Sequence, residues 1–345
     1  MSLQTEIFEQ PDRLARLLRS QRKTAEQIAA AVRKQDIDYV FLAARGTSDN
    51  AGRYAVALWG AQNRLPLALA SPSLFTYYNR PPRLKNALVV GVSQSGQSPD
   101  IVSVLEEGRR QGCLTLAITN AGDSPLAKTA DLVLDIQAGD EKAVAATKTY
   151  TAELMSIAML SAALADDKQL WSDLAKAPRW ASQVLKQDGP LARVAERFRY
   201  MSHCVVLGRG YNYSTAFEWA LKLKELTYVE AEPYSSADFQ HGPIAMVAGG
   251  FPVLAVVPQG KVFDSLLQLL GSLRAEQDAE LVVISDERRA LSLAQSPVPL
   301  PGGMPEWLSP IVSIIPGQLF AYHLTRAKGF DTEKPRSIRK VTETR

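Results

Sequence analysis

Ala87-Leu-Val-Val-Gly-Val-Ser93-Gln-Ser-Gly-Gln-Ser98-Pro99-Asp100 is the stretch that decides the fold. The unbroken apolar run over Ala87–Val92 reads as a strand buried on both faces. Ser93-Gln-Ser-Gly96 interrupts it, and Ser98 then reads as an N-cap with Pro99 in the first turn of a helix running to about Gln111. A doubly buried strand feeding a helix is the repeating unit of a parallel α/β sheet. The turn between them presents backbone N–H groups and hydroxyls beside the positive end of a helix, a combination that stabilises phosphate without lysine or arginine. The segment misses the nucleotide loop G-x4-G-K-[ST] because Gln97 stands where the lysine belongs, which excludes ATP and GTP. Taken alone, a Ser/Gly turn of this kind is more often just a capped loop.

Working outward, Tyr39–Ala44 is a second buried run, leading through Arg45 to Gly46-Thr47-Ser48 and a helix through Trp59. Leu114–Thr119 and Leu132–Ile136 read as further strands, and residues 12–34 as an amphipathic helix with Leu14, Leu17, Leu18, Ile28 and Val32 on one face. Two hydroxyl turns at the carboxyl ends of parallel strands describe a ligand crevice. The second half repeats the order. Cys204–Leu207 ends at Gly208-Arg-Gly210 before a helix to about Leu226; Pro252–Val257 ends at Pro258-Gln-Gly260 before a helix over Val262–Glu276; Leu281–Ser285 follows. Gly46 and Gly210, Ser93 and Pro258, and Asn120 and Asp286 lie 164, 165 and 166 residues apart, so the chain reads as an internal duplication. The expected architecture is α/β with two tandem parallel-sheet lobes. Its boundaries are an N-terminal helix over 1–35, a first lobe over 36–165, a helical linker over 166–198, a second lobe over 199–328 and a tail over 329–345. Residues 296–308 read as a Pro/Gly loop before a last helix at about Pro310–Arg326.

Composition narrows the function classes. The 345 residues are 46% hydrophobic and 22% charged, with 39 basic against 36 acidic side chains, a net charge of +3. That balance argues for no nucleic-acid or membrane-surface partner. Cys113 and Cys204 each open an apolar run and read as core residues, with no disulfide framework and no metal-ligand spacing. No apolar run approaches the roughly 20 residues of a membrane span, and the polar start Met1-Ser-Leu-Gln-Thr-Glu carries no signal region, so the expected location is cytoplasmic. Neither Gly208-Arg-Gly-Tyr-Asn-Tyr nor Gly46-Thr-Ser-Asp-Asn-Ala completes a dinucleotide fingerprint, and no cofactor is expected.

Three further constellations stand out. In Glu218-Trp-Ala-Leu-Lys222-Leu-Lys224-Glu225, positions 218, 222 and 225 share a helix face, which read blandly is a solvated, salt-bridged surface. His241 sits in the loop Phe239-Gln-His-Gly-Pro243, where functional residues concentrate, whereas His203 and His323 read as structural. The basic tail Lys334-Pro-Arg336-Ser-Ile-Arg339-Lys340 reads either as a solvated terminus or as a strap that brings a lysine amine to a carbonyl.

These pieces occur together in one family. Glu6-Ile-Phe-Glu-Gln-Pro11, Gly46-Thr-Ser48, Ser93-Gln-Ser-Gly96, Ala145-Ala-Thr-Lys148, Leu221-Lys-Leu-Lys-Glu225, His241-Gly-Pro243 and Lys340-Val-Thr342 resemble the sugar isomerase (SIS) family. The likeness is to the isomerase half of glucosamine-6-phosphate synthase, and more to its single-module relatives that deaminate aminosugar phosphates. The resemblance implies flavodoxin-like, three-layer lobes with the tail over the site, and a hexose 6-phosphate or aminosugar phosphate as ligand. It implies that Thr47, Ser48, Ser93, Gln94, Ser95 and Ser98 surround the sugar phosphate, with Val144 and Ala145 also lining it. Glu225 would move a proton between C1 and C2, His241 would help open the ring from a partner subunit of a homodimer, Lys340 would approach the carbonyl carbon, and Lys222 would support the base. No metal is implied. Ala146 stands where the synthase usually has serine, Arg45 where it has a small residue, and the tail departs after Lys340; the arginine form resembles the deaminase-type branch. With the sugar module starting by Glu6 and no cysteine nearby, the expectation is a chain unable to draw ammonia from glutamine unaided. The expected reaction is glucosamine 6-phosphate to fructose 6-phosphate and ammonia. The alternatives are a fructosamine-phosphate deglycase, a galactosamine-6-phosphate deaminase, an ammonia-using synthase-like enzyme, or a non-catalytic sugar-phosphate-binding regulator.

Overall fold

The computed structural model describes residues 2–340, and the two halves of the duplication each form a parallel five-stranded sheet. The first sheet comprises β1 (Tyr39–Ala43), β2 (Leu67–Leu69), β3 (Ala87–Ser93), β4 (Leu114–Thr119) and β5 (Leu132–Asp135), in the order β2-β1-β3-β4-β5. The second comprises β6 (His203–Gly208), β7 (Glu230–Ser235), β8 (Pro252–Val256), β9 (Glu280–Ser285) and β10 (Ser296–Pro299), in the order β10-β9-β8-β6-β7. Read from its β7 edge, the second order is the first repeated strand for strand, 2-1-3-4-5, the flavodoxin-like doubly wound arrangement. The expected fold class and the duplication are therefore both present.

The chain forms two compact units. One contains residues 9–141, 148–176 and 339–340; the other contains residues 2–8, 142–147 and 177–338. In the first, every residue of β3 is buried, as its continuous apolar run requires. Ile101, Val104 and Leu105 of the Pro99–Arg110 helix cover one sheet face together with Phe41, Val89 and Ala117. Gly91 permits that approach, since a Cβ there would lie 2.8 Å from methyls of both Leu105 and Leu126. The Lys148–Ala165 helix packs against both Gln10–Arg33 and Gly46–Asn63 in the same unit. Each fully buried Leu or Ile contributes about 1.5–3 kcal/mol relative to exposure, so this apolar layering fixes the register of everything the sheet carries. In the second unit Leu266, Leu270 and Leu273 of the Phe263–Gln277 helix cover Val205, Val253 and Val283, and the Tyr213–Thr227 helix packs on Ser309–Ala327.

Three departures from the sequence reading concern element edges. The amphipathic helix starts at Gln10 and is preceded by a short helix, Leu3–Phe8. The loop expected over 296–308 opens with β10. The edge strands β2 and β7 were not expected at all. The stretch 166–198 is helical as expected, as Lys168–Leu174, Ala177–Val184 and Asp188–Arg197. Among the described residues no helix is long and apolar enough to cross a membrane.

Candidate functional site

In the first unit the order 2-1-3-4-5 reverses direction between β1 and β3, and the crevice at such a switch point, outside the carboxyl ends of the strands, is where doubly wound sheets bind ligands. Ala43 of β1 pairs with Gly91 of β3, so the Gly46-Thr47-Ser48 turn and the Ser93–Ser98 loop leave the sheet side by side. The structure thus brings the two hydroxyl turns together.

The loop is rigidly built. Gly96 adopts φ +60°, and a Cβ there would fall 2.1 Å from Ser124 Oγ, so only glycine fits. The Gly96 N–H donates to Ser93 Oγ (3.1 Å) and the Gln97 N–H to Ser95 Oγ (3.3 Å). The Gly96 carbonyl accepts from the Leu126 N–H and the Gln94 carbonyl from the Asn120 N–H, which ties the loop to the end of β4. Among the described residues the N–H groups of Ser95 and Ser98, in the turn before the Pro99–Arg110 helix, have no hydrogen-bond partner. Ser98 occupies the N-cap in an extended conformation, but its hydroxyl makes no capping bond, contrary to the cap expected from sequence. Ser48 is buried, and its hydroxyl donates to Oε1 of the buried Glu153 at 2.8 Å. Thr47 is half-buried beside it.

Lys340 belongs to the same unit, where its Nζ donates to Glu141 Oε2 at 2.6 Å. The Glu141 carboxylate is fully buried and also accepts from the Thr149 N–H (3.1 Å) and hydroxyl (2.7 Å) at the start of the Lys148–Ala165 helix. Nearby, the buried Lys148 donates to Glu9 (2.9 Å) and to the Asp140 carbonyl. Val341 and Thr342 of the tail motif lie outside the described residues.

In the other unit Ala145 is buried and Val144 half-buried. Their loop is pinned by the buried Glu6, which accepts from the Lys142 and Ala143 N–H groups, and by Gln318, which donates to the Thr147 carbonyl at 3.2 Å.

The Glu218/Lys222/Glu225 face is not the solvated surface that its charges suggest. Glu218 and Lys222 are completely buried, because the Ser309–Ala327 helix covers that side, with Trp219 against Gly317 and Phe320. Lys222 Nζ lies 3.4 Å from Glu218 Oε1 and 2.5 Å from Glu225 Oε2. Burial alone would lower the Lys222 ammonium, but the two carboxylates outweigh it and hold the group above its ordinary value, so it is charged throughout the neutral range. Glu225, at 24% side-chain exposure, is the one of the two carboxylates that solvent reaches. His241 is exposed in the loop after the Ser236–Phe239 turn of helix, its N–H donating to the Asp238 carbonyl. His323 is structural, bonded to Asp188 at 2.7 Å.

Sequence reasoning missed the buried acids Glu141, Glu153 and Glu6. Each has a partner remote in sequence, Lys340 for Glu141, Ser48 for Glu153 and Lys142 for Glu6, so no local spacing announces its burial. Glu218 was visible at helical spacing, but its burial was not.

The SIS domain family model matches residues 35–163 and 198–327. Glutamine--fructose-6-phosphate aminotransferase [isomerizing] of Thermococcus kodakarensis is 33% identical over 97% of this chain and 56% of its own length, and its Thermus thermophilus counterpart is 33% identical over 97% and 57%. The chain spans about half the length of these curated relatives. Among solved structures, one described as a phosphosugar isomerase from Silicibacter pomeroyi superimposes with a TM-score of 0.87 at 32% identity, covering 96% of this chain and 100% of that one. The C-terminal domain of glucosamine-fructose-6-phosphate aminotransferase from Francisella tularensis gives 0.87 at 28% identity, covering 96% and 98%.

Proposed function

The chain belongs to the SIS domain family, and from that premise we propose that it is a sugar-phosphate enzyme that converts glucosamine 6-phosphate to fructose 6-phosphate and ammonia. The observation that carries this reading is Glu225, a carboxylate that solvent reaches and whose Oε2 lies 2.5 Å from the buried Lys222 ammonium. Moving a proton between C1 and C2 needs a single base that can take a proton and return it, and a carboxylate paired with a fixed cation suits both halves of that exchange. The phosphate is held by Ser93, Gln94, Ser95 and Ser98 with Thr47 and Ser48, by N–H groups, hydroxyls and the positive end of a twelve-residue helix. Val144 and Ala145 line the sugar, His241 assists ring opening from a neighbouring subunit, and Lys340 approaches the carbonyl carbon. Arg45 before Gly46 is the form that resembles the deaminase-type branch, which supports the deaminase reading over a synthase-like one.

The test is a panel of glucosamine 6-phosphate, galactosamine 6-phosphate, a fructosamine phosphate, and fructose 6-phosphate with ammonia, scored for ammonia and ketose phosphate. Glucosamine 6-phosphate should give both products. Glu225→Gln should lose turnover by roughly 10²–10⁴-fold, the usual contribution of a general base, while keeping ligand binding. Mixing Glu225→Gln with His241→Ala chains should restore part of the activity. No product from any member of the panel at millimolar concentration rules the proposal out.

A further inference from the structure

We propose that Arg45 is a ligand-binding residue of the first unit. Anchored on Asp100, it supplies the cationic contact to a phosphate dianion held by the Ser93–Ser98 loop, and it sets the preference for dianion over monoanion. The inference rests on the reading of that loop as the phosphate site.

Register places the residue. Ala43, the last residue of β1, pairs with Gly91 of β3, and Arg45 follows two residues later as the N-cap of the Gly46–Asn63 helix, so it leaves the sheet beside the strand that ends at Ser93. From there the Arg45 side chain crosses to Asp100, its Nε donating to Oδ2 at 2.8 Å. Asp100 is the second residue of the helix whose N-terminus follows the loop. The guanidinium therefore runs from the end of β1 to the start of that helix, along one side of the Ser93–Ser98 turn.

Charge explains why a cation belongs there. The Asp100 carboxylate is completely buried in the first turn of the helix that would receive the phosphate. Left alone, it opposes a second anion at the same helix terminus; paired with Arg45, it does not. The pairing uses only one edge of the guanidinium. Arg45 is about half exposed at 49%, and among the described residues its terminal nitrogens are hydrogen-bonded to nothing. The remaining donors form the planar fork that matches phosphate oxygens, which a lysine cannot reproduce. Neutralising the buried Asp100 accounts for the Nε contact alone and leaves the exposed terminal nitrogens available to a ligand.

Calorimetric titration of the full chain with inorganic phosphate and with glucosamine 6-phosphate tests this. Arg45→Gln should weaken both ligands by about tenfold to a hundredfold, roughly 1.4–2.7 kcal/mol. Arg45→Lys should fall between the two, and supplies the test if the glutamine variant does not fold. The wild-type affinity for glucosamine 6-phosphate should rise as pH passes the second ionisation of the phosphate monoester near 6, and Arg45→Gln should flatten that rise, which a merely structural residue would not do. Wild-type binding with an unchanged affinity and pH profile in Arg45→Gln overturns the role of Arg45 and leaves the loop assignment intact. No phosphate binding by the wild type overturns the loop assignment and this inference with it.

Discussion

Replacing Lys222 with methionine is the sharpest test of the buried charge cluster in the second unit. The substitution keeps the length of the side chain and removes one positive charge from between two carboxylates. Glu225 remains partly in solvent, but Glu218 does not, so the deficit falls on Glu218. Breaking a buried pair by deleting one partner costs about 3–5 kcal/mol. At pH 7 a ceiling applies, because Glu218 can protonate instead. Raising a carboxyl from an unperturbed value near 4.3 to above 7 costs about 1.36 kcal/mol per unit, or roughly 3.7 kcal/mol. The penalty should then shrink by about 1.4 kcal/mol for each unit of pH lowered between 7 and 5, since protonation is easier there. In the wild type the Lys222 value is raised above the 10.5 of the free amine, so its contribution is complete below 10.5 and is lost as pH climbs through the raised value; acid does not remove it. Urea unfolding of both proteins at pH 5, 6 and 7 reads the difference. The double variant Glu218→Gln/Lys222→Met should recover most of the loss and show no pH slope. A penalty below about 1 kcal/mol at pH 7, or one independent of pH, refutes the claim that Lys222 is there to compensate a buried acid.

Two further outcomes follow from other buried acids. Glu141→Gln keeps an acceptor for Thr149 but loses the charged hold on Lys340, worth about 1.5–3 kcal/mol; tryptic cleavage after Lys340 should accelerate about tenfold or more, with Glu141→Asp intermediate, and an unchanged rate would show that Glu141 does not anchor the tail. Glu9→Gln deprives the buried Lys148 of its carboxylate and should cost about 3 kcal/mol at neutral pH. Burial raises the Glu9 carboxyl but the bonds from Lys148 and Arg13 outweigh it, leaving the group below its ordinary 4.5, so its stabilisation is present above 4.5 and is lost as pH falls through the depressed value. The gap between Glu9→Gln and wild type should accordingly close in acid, and a gap that is constant from pH 7 to pH 3 counts against the pairing.

The central strands were legible because burial on both faces writes them as unbroken apolar runs: Leu114–Thr119 matches β4 residue for residue, and Ala87–Val92 falls one residue short of β3. Of the four edge strands, β5 was read as Leu132–Ile136, but β2, β7 and β10 were not, for physical reasons. β7 carries Pro233 and β10 carries Pro297 and Pro299, which an edge tolerates because one side of the ladder is unpaired, but which argue against a strand when read in sequence. β2 is only Leu67–Leu69 and is held by its neighbour β1. At the candidate site the backbone features were legible: a strand, a glycine turn, a helix start. Charge burial was not. Glu218, Lys222 and Glu225 at spacings of four and three look the same on a solvated face and beneath the Ser309–Ala327 helix, and only tertiary packing separates the two cases.

The duplicated halves share a topology, and their switch-point turns show how the same backbone was assigned different work. After β3 the turn offers Ser and Gly with the Ser95 and Ser98 N–H groups unengaged. After β8 the corresponding turn, Pro258-Gln259-Gly260, is filled from within. The Gln259 N–H donates to Asp286 at 2.7 Å, the Lys261 N–H donates to Glu306 at 2.9 Å, and a Cβ on Gly260 would sit 2.1 Å from the Glu306 carboxyl carbon. A carboxylate seated on these N–H groups satisfies the donors that an anion would otherwise take, and its own charge repels a phosphate. The second unit thus keeps the scaffold of an anion site while occupying it with its own side chains. Its distinctive chemistry lies instead on the Tyr213–Thr227 helix, where a buried lysine sits between two acids. On the proposed reading the same sheet order holds a ligand in one half and a proton-transfer group in the other, because the sheet fixes only where the turns emerge and the side chains around them decide what each turn can bind.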